Sequence, residues 1–552
     1  MVSRAAGVHG LLMLLTLSGC ALITESREAE RLDADADGVE WLEDCDDDDP
    51  IIGAPRLWTR DDDGDGFGGG DAITACHAPG AEYHEGSPDC DDTDPGVFPG
   101  AVESLDADAD TNCDGWISSA YSVDHTLRTG ETVAGVGDTN NDGFDDFLIV
   151  SSDKAHLILG SQAPMGRPLT NEDITFSGLE GFGLRADAGD INNDGYDDVV
   201  IGVLNDMVTD AEFAAGVTYV FLGSEAPVSK TFAEADAIFS GEGEYNHAFH
   251  VSIAGDVNDD GYEDILIGAP FERERTLYDG VAYLILGTIS PVSKNLSEAD
   301  AVFLTEASRS GIGSTTSGAG DVNGDGFADF LVGATGLSVK TARLFLGSPS
   351  VAANELLEPD ASFYTTWLYE TLIDEVSDAG DFNNDGYDDI MIGAPDRDDI
   401  YEGELFGRVY LVLGGTDLSD RLLTNADTTF YGSHEGDLLG ATLSAAGDVD
   451  GDGFADLIMS SIDETSTTNS TCVAHLLFGS PMPAMSVSAL ESGTQYTVDV
   501  PPGNNSCVTD GAGDVNNDGY ADVIFGTPGK SVDNAEWAGV VHLIFGSEVL
   551  SQ

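Results

Sequence analysis

From residue 116 to the end, apolar positions fall into short runs that recur in the same order. One unit reads "AIFSG", "FHVSIAGD", "DILIGAP" and "VAYLILG", each bounded by glycine or an acidic residue. Runs this short, rich in Val, Ile, Phe and Tyr, predict strands and not helices. Two further runs, "DVVIG" and "DIMIG", are apolar at successive positions where a half-exposed strand would alternate. Such a strand is buried on both faces, as it would be in a sheet stacked between two neighbours. Between the second and third segments of every unit lies a polar loop in which Asp or Asn takes every second place.

The loops begin at Asp138, Asp190, Asp256, Asp321, Asp381, Asp448 and Asp514, at intervals of 52 to 67 residues. Seven copies of one unit predict a repeat fold. Four-stranded units of this length predict an all-β, seven-bladed β-propeller. The ends of the array support closure. After the last apolar run, "VVHLIFG", only "SEVLSQ" remains, so the seventh blade lacks its outer strand. The segment "WISSAYSV" (116–123), which precedes the first unit, is the candidate to supply it.

The loop chemistry is that of a hard cation. In the stretch Asp190, Asn192, Asp194, Gly195, Tyr196, Asp198, alternate side-chain oxygens and the Tyr196 carbonyl can converge on one ion, and Gly195 permits the sharp turn. Three carboxylates and an amide, with no nitrogen or sulfur donor, suit calcium. An EF-hand would continue to a twelfth-position Glu and a helix, whereas here a strand begins at once.

Residues 116–552 resemble the FG-GAP repeat of integrin α-chain propellers, in which a calcium loop joins the first two strands of a blade. The resemblance implies ligands at Asp138, Asn140, Asp142 and Asp146; at Asp190, Asn192, Asp194 and Asp198; and at Asp256, Asn258, Asp260 and Asp264. It implies them equally at Asp321, Asn323, Asp325 and Asp329; at Asp381, Asn383, Asp385 and Asp389; at Asp448, Asp450, Asp452 and Asp456; and at Asp514, Asn516, Asp518 and Asp522. The family's "GAP" signature is replaced by "SSD" in the first unit and "SSI" in the sixth.

Composition narrows the partners. The 552 residues are 41% apolar, enough for a substantial core, yet carry a formal charge of -82. That charge excludes nucleic acid and anionic lipid as partners. Seven divalent ions would offset only about a sixth of it. At the N-terminus, Arg4, the apolar "LLMLLTL" and the closing "LSGC" resemble the lipobox of bacterial lipoproteins. The resemblance implies a signal peptide over 1–19, lipidation at Cys20, an acidic linker over 20–40, and a protein held at the bacterial outer membrane or cell surface by its lipid alone.

Residues 41–115 form a distinct acidic region without hydrophobic periodicity, unable to build an ordinary core unaided. The pieces "LWTRDDDGDGFG", "SPDCDDTDP", "VFPGAVE" and "NCDGW" resemble a small metal-binding repeat of secreted myxobacterial proteins. The expectation is a small, loop-rich region stabilised by disulfides and metal, with room for more calcium within 33–114. Leu105 stands where that repeat has another cysteine. Apart from Cys20, six cysteines remain. Cys472 and Cys507 pair most simply with each other, while Cys45, Cys76, Cys90 and Cys113 allow three connectivities. A zinc site from Cys76, His77, His84 and Cys90 is the alternative for this region, although its spacing matches no familiar finger.

The connections after the second strand of each blade vary most and lie at the end opposite the acidic loops, where a rigid ring offers surface for recognition. Arg273, Arg275, Tyr278, Arg397, Tyr401 and Trp537 stand out there as candidate ligand contacts. No nucleophile elbow, HExxH or comparable motif points to an enzyme, and His247 and His250 read as packing or loop residues. The expected function is a calcium-binding, surface-anchored binding or adhesion module for an extracellular protein or polysaccharide. A structural or calcium-storing surface protein is the alternative, and a propeller hydrolase or lyase a third.

Overall fold

In the computed structural model the described residues lie between 56 and 547. Left out among them are 81, 85–88, 99–100, 102, 106–110, 112, 114–118, 123–131, 152–153, 165, 167–168, 170–173 and 179–181. Also left out are residues 205–215, 242–249, 271–279, 305–309, 336–339, 352–357, 366–372, 396–406, 433–436, 464–469, 482–486, 489–492, 501–506 and 528–538. Cys20, Cys45, His247 and all six candidate ligand contacts fall outside the described residues.

The chain divides into two compact units, Met1–Phe98 and Pro99–Gln552. The larger is all-β: seven antiparallel sheets, one per repeat, form the seven blades of a propeller. The inner strands are Val133–Gly137, Phe182–Gly189, His250–Gly255, Ile312–Gly320, Glu375–Gly380, Leu443–Gly447 and Val508–Gly513. Each touches the next, and the last touches the first, so the ring is closed. At that closing seam the Gly135 N–H donates to Asp510 Oδ2 at 3.3 Å.

The doubly apolar runs are the second strands. Asp264–Ala269, Asp329–Ala334, Asp389–Ala394 and Asp522–Thr527 are buried at every position. They are buried because each sheet is covered on both faces by its neighbours. Leu148 and Val150 of the first blade, for example, share a core with Val199 and Ile201 of the second.

The expected closing strand is present. Ser119–Ser122 pairs antiparallel with the third strand of the last blade, Val540–Ile544, with Tyr121 opposite Val541. A second device was not anticipated. In most blades a two-residue strand from the following repeat adds itself in parallel to the outer edge, as Lys230–Thr231 does to Ile174–Ser177 and Lys294–Asn295 to Ala237–Ser240. For the sixth blade this strand comes from the N-terminal side, where Glu103–Ser104 pairs with Tyr496 and Thr497. Leu105 then donates its N–H to the Thr497 carbonyl at 3.0 Å and packs on the core of the last two blades. The units therefore part at residue 98, earlier than the expected boundary at 115, because residues 103–105 already belong to the propeller's sixth sheet.

Cys472 and Cys507 form the expected disulfide, with Cα atoms 5.8 Å apart. It ties the third strand of the sixth blade to the start of the seventh. In the smaller unit, Arg56–Arg60 lies between Gly69–Ala75 and Tyr83–His84 in a three-stranded sheet. Cys76, Cys90 and Cys113 are each in a disulfide. Oxidised sulfur cannot ligate zinc as thiolate, which removes the zinc alternative.

Candidate metal centres

Each acidic loop joins an inner strand to a second strand, so all seven lie at one end of the blades. Numbered from its first Asp, a loop is folded by its own side chains. In the second blade Asp190 Oδ1 accepts the N–H of Asp194 at 3.0 Å and Oδ2 that of Gly195 at 2.8 Å. Asp194 Oδ1 accepts the N–H of Tyr196 at 3.1 Å. The same three bonds recur in the loops starting at Asp138, Asp256, Asp321, Asp381 and Asp514. Position four takes a positive φ in every copy, with Asn193 at 54° and Gly324 at 74° as examples. Asn, Asp and Gly tolerate that conformation best, and one of the three fills position four in each loop.

Position three carries the most informative atom. Asn140 and Asn192 are only 6% and 4% exposed. The Oδ1 atoms of both, and those of Asn258 and Asn516, are buried without a hydrogen-bond partner. A buried acceptor left unpaired costs about 1–3 kcal/mol, and it recurs at one position in four blades, where an oxygen ligand to a cation would be expected. In the sixth loop, where position three is itself acidic, carboxylate oxygens of Asp448, Asp450 and Asp456 converge within 4.8 Å of one another. The donor set is hard oxygen throughout, and it fits calcium.

Position nine is the part that spacing alone did not explain. Asp146, Asp198, Asp264, Asp329, Asp389, Asp456 and Asp522 are all fully buried as the first residue of a second strand. In each, Oδ1 accepts the N–H of the glycine two residues past the third strand, from Gly160 at 2.8 Å to Gly546 at 2.9 Å. In all but the second blade, Oδ2 accepts the N–H of position two. This carboxylate is thus a buckle that fastens loop, second strand and third strand together. Desolvation, opposed by these bonds, pushes Asp264, Asp329, Asp389 and Asp456 up to about 7 and Asp198 and Asp522 to about 8. Such a group is uneasy as an anion unless positive charge lies beside it.

The smaller unit repeats the geometry without the repeat. Asp61, Asp63, Asp65, Gly66 and Phe67 occupy positions one, three, five, six and seven, with Phe67 N–H donating to Asp65 Oδ1 at 2.8 Å. Position nine is Gly69, and carboxylates from a distant segment stand in: oxygens of Asp63, Asp89 and Asp92 lie within 4.8 Å of one another. Asp63 Oδ2 and Asp65 Oδ2 are buried without hydrogen-bond partners.

A second acidic feature lies at the centre of the ring. Asp187, Asp378 and Asp510, from the inner strands of three blades, line a cavity of about 250 Å³. Burial raises all three carboxyls, Asp187 and Asp510 to about 7; repulsion from Asp510 and Asp378 adds to it at Asp187, from Asp378 at Asp510 and from Asp388 at Asp378. His250 is buried on an inner strand, where desolvation and Arg185 hold it well below the usual imidazole range. It packs, as its sequence suggested.

Fold and loops together define a β-propeller of FG-GAP repeats. A family profile described as "FG-GAP-like repeat" matches residues 138–201. One described as "FG-GAP repeat" matches 250–285, 313–342 and 376–412. Among curated proteins, integrin alpha-5 of Xenopus laevis is 31% identical over 231 residues, 40% of this chain and 21% of that protein. Integrin alpha pat-2 of Caenorhabditis briggsae is 27% identical over 289 residues, 49% of this chain and 23% of that protein. Integrin alpha-8 of Gallus gallus is 30% identical over 188 residues, covering 32% and 17%. The chain is similar to integrin α chains through its FG-GAP repeats and spans about a fifth of the length of these relatives.

Proposed function

We propose that the protein is a calcium-stabilised binding module in which all seven loops hold Ca²⁺ and the ring presents a surface to an extracellular protein or polysaccharide. The observation that carries the metal assignment is the buried, unpartnered Oδ1 of Asn140, Asn192, Asn258 and Asn516. Positions one, three, five and nine of each loop supply the ligands. A bound calcium ion offsets the mutual repulsion of the carboxylates and satisfies the position-three oxygen. The same chemistry extends to Asp61, Asp63, Asp65, Asp89 and Asp92 of the smaller unit, and so to the acidic region 41–115 as a metal-binding domain.

Similarity to integrin α chains supports recognition over catalysis, since none of the relatives named above is called an enzyme. Among the described residues no helix is long and apolar enough to cross a membrane. Attachment at the outer membrane or cell surface through lipidated Cys20 rests on the "LSGC" segment. The surplus of carboxylates over the seven loops favours one further reading, a structural or calcium-storing surface protein.

A pull-down from a surface fraction, with the chain lacking its lipid, in calcium and in chelator, separates these readings. Capture that requires calcium and is lost in the Arg273→Ala/Arg275→Ala/Arg397→Ala variant supports the binding module. Calcium uptake without any capture sustains the storage reading instead.

A further inference from the structure

Neighbouring loops are bonded to each other around the ring, and the bond is not the same at every seam. The residue at position eight of each loop lies against the start of the preceding blade's loop. Its N–H donates to the position-one carbonyl there, as Asp197 does to Asp138 and Ala328 to Asp256. Its side chain fills the space over the glycine just before that loop. A Cβ on Gly137 would lie 2.0 Å from Asp197 Oδ2, and one on Gly255 would lie 2.6 Å from the Ala328 Cβ. The glycine is what lets the neighbour in.

Position eight is acidic in four blades and alanine in three. The loops starting at Asp138, Asp190, Asp321 and Asp514 face Asp197, Glu263, Asp388 and Asp145. At three of these seams the carboxylate also accepts the position-one N–H: Asp138 to Asp197 at 2.9 Å, Asp321 to Asp388 at 2.7 Å and Asp514 to Asp145 at 2.7 Å. The loops starting at Asp256, Asp381 and Asp448 face Ala328, Ala455 and Ala521.

We propose that this cross-blade carboxylate divides the cation loops into two affinity classes, four tighter and three weaker, with position eight of the following blade as the determinant. The proposal rests on the reading that the loops hold calcium. A carboxylate beside the residue that supplies the first ligand, once ionised, raises the attraction for a divalent cation, and site charge is a main control of calcium affinity. At the three seams that make it, the capping bond also holds the position-one backbone in place, so rigidity acts there in the same direction.

The test is a calorimetric calcium isotherm on the chain without its lipid, repeated on two variants. Beyond the ions taken up by the smaller unit, the parent should show two propeller classes in the ratio four to three, separated by about three- to tenfold. Asp145→Asn/Asp197→Asn/Glu263→Gln/Asp388→Asn keeps the acceptors and removes the charges; it should bind as many ions in one weaker class. Ala455→Asp, which leaves the other seams untouched, should move one site from the weaker class to the tighter, and this gain holds even if the quadruple variant unfolds. Seven equivalent propeller sites in the parent, or variants that titrate like it, overturn the two-class proposal while leaving the calcium loops standing. A folded parent that takes up no calcium overturns the calcium reading itself.

Discussion

Asp197 Oδ2 accepts the backbone N–H of Asp138 at 2.9 Å, and Asp197 returns its own N–H to the Asp138 carbonyl at 3.3 Å. The two residues are 59 positions apart and belong to different blades. A loop that looks self-contained in the sequence is therefore held at its first residue by the loop after it. Damage to one loop is then felt at a seam.

The unpartnered amide oxygen separates metal binding from loop folding. Asn192→Ala removes a buried acceptor that has no protein donor. In chelator the melting temperature should stay the same or rise slightly. In calcium, affinity at that loop should fall by about tenfold. Thermal melts with and without calcium check this, and equal destabilisation in both would mean the side chain acts through packing.

The buckle at position nine behaves in the opposite way. Asp456→Ala leaves the Val449 and Gly479 N–H groups, each now 2.8 Å from one of its oxygens, without acceptors in a buried place. A loss of about 3 kcal/mol or more is expected from two orphaned donors. It should persist in chelator, read as a lower urea midpoint.

Closure of the ring depends on the N-terminal side of the propeller. Replacing both Ala120 and Tyr121 by Pro removes backbone donors from the strand that pairs with Val541 and His542. The seventh blade should then open at its outer edge. Limited proteolysis should cut first within the last repeat, where the parent resists.

Acidity should protect the metal-free protein. Asp187 and Asp510 rise from an ordinary 3.8 to about 7, first because burial desolvates them and then because they face Asp378. Raised folded-state values mean that their stabilising contribution is complete below about 4 and is lost as pH climbs through about 7. In chelator, the melting temperature should fall between pH 5 and pH 8. Asp187→Asn/Asp510→Asn should flatten that slope and raise the melting temperature at pH 8.

Much of this architecture was legible in the chain because it is local. Strands of nine residues or fewer, loops with oxygen at alternate positions, and the glycine at position six all follow from neighbours along the sequence. The outer strand of the seventh blade was legible too, since "WISSAYSV" precedes the first unit with no blade of its own to join. Other features were not. Nothing in "ESL" (103–105) announces an edge strand on the sixth blade, because a two-residue parallel pairing has no periodicity to read. The position-nine Asp reads as one more ligand until its oxygens are seen on a glycine 14 to 25 residues away. Position eight carries no signal at all: Asp145 and Asp514 are 369 residues apart, and only ring closure brings them together. By itself the sequence determined the repeating unit, its strands and the chemistry of each loop, because those rest on contacts within a few residues. The tertiary structure alone decided which loops share a seam and which carboxylates face one another across the cavity, because those contacts exist only once seven units close into a ring.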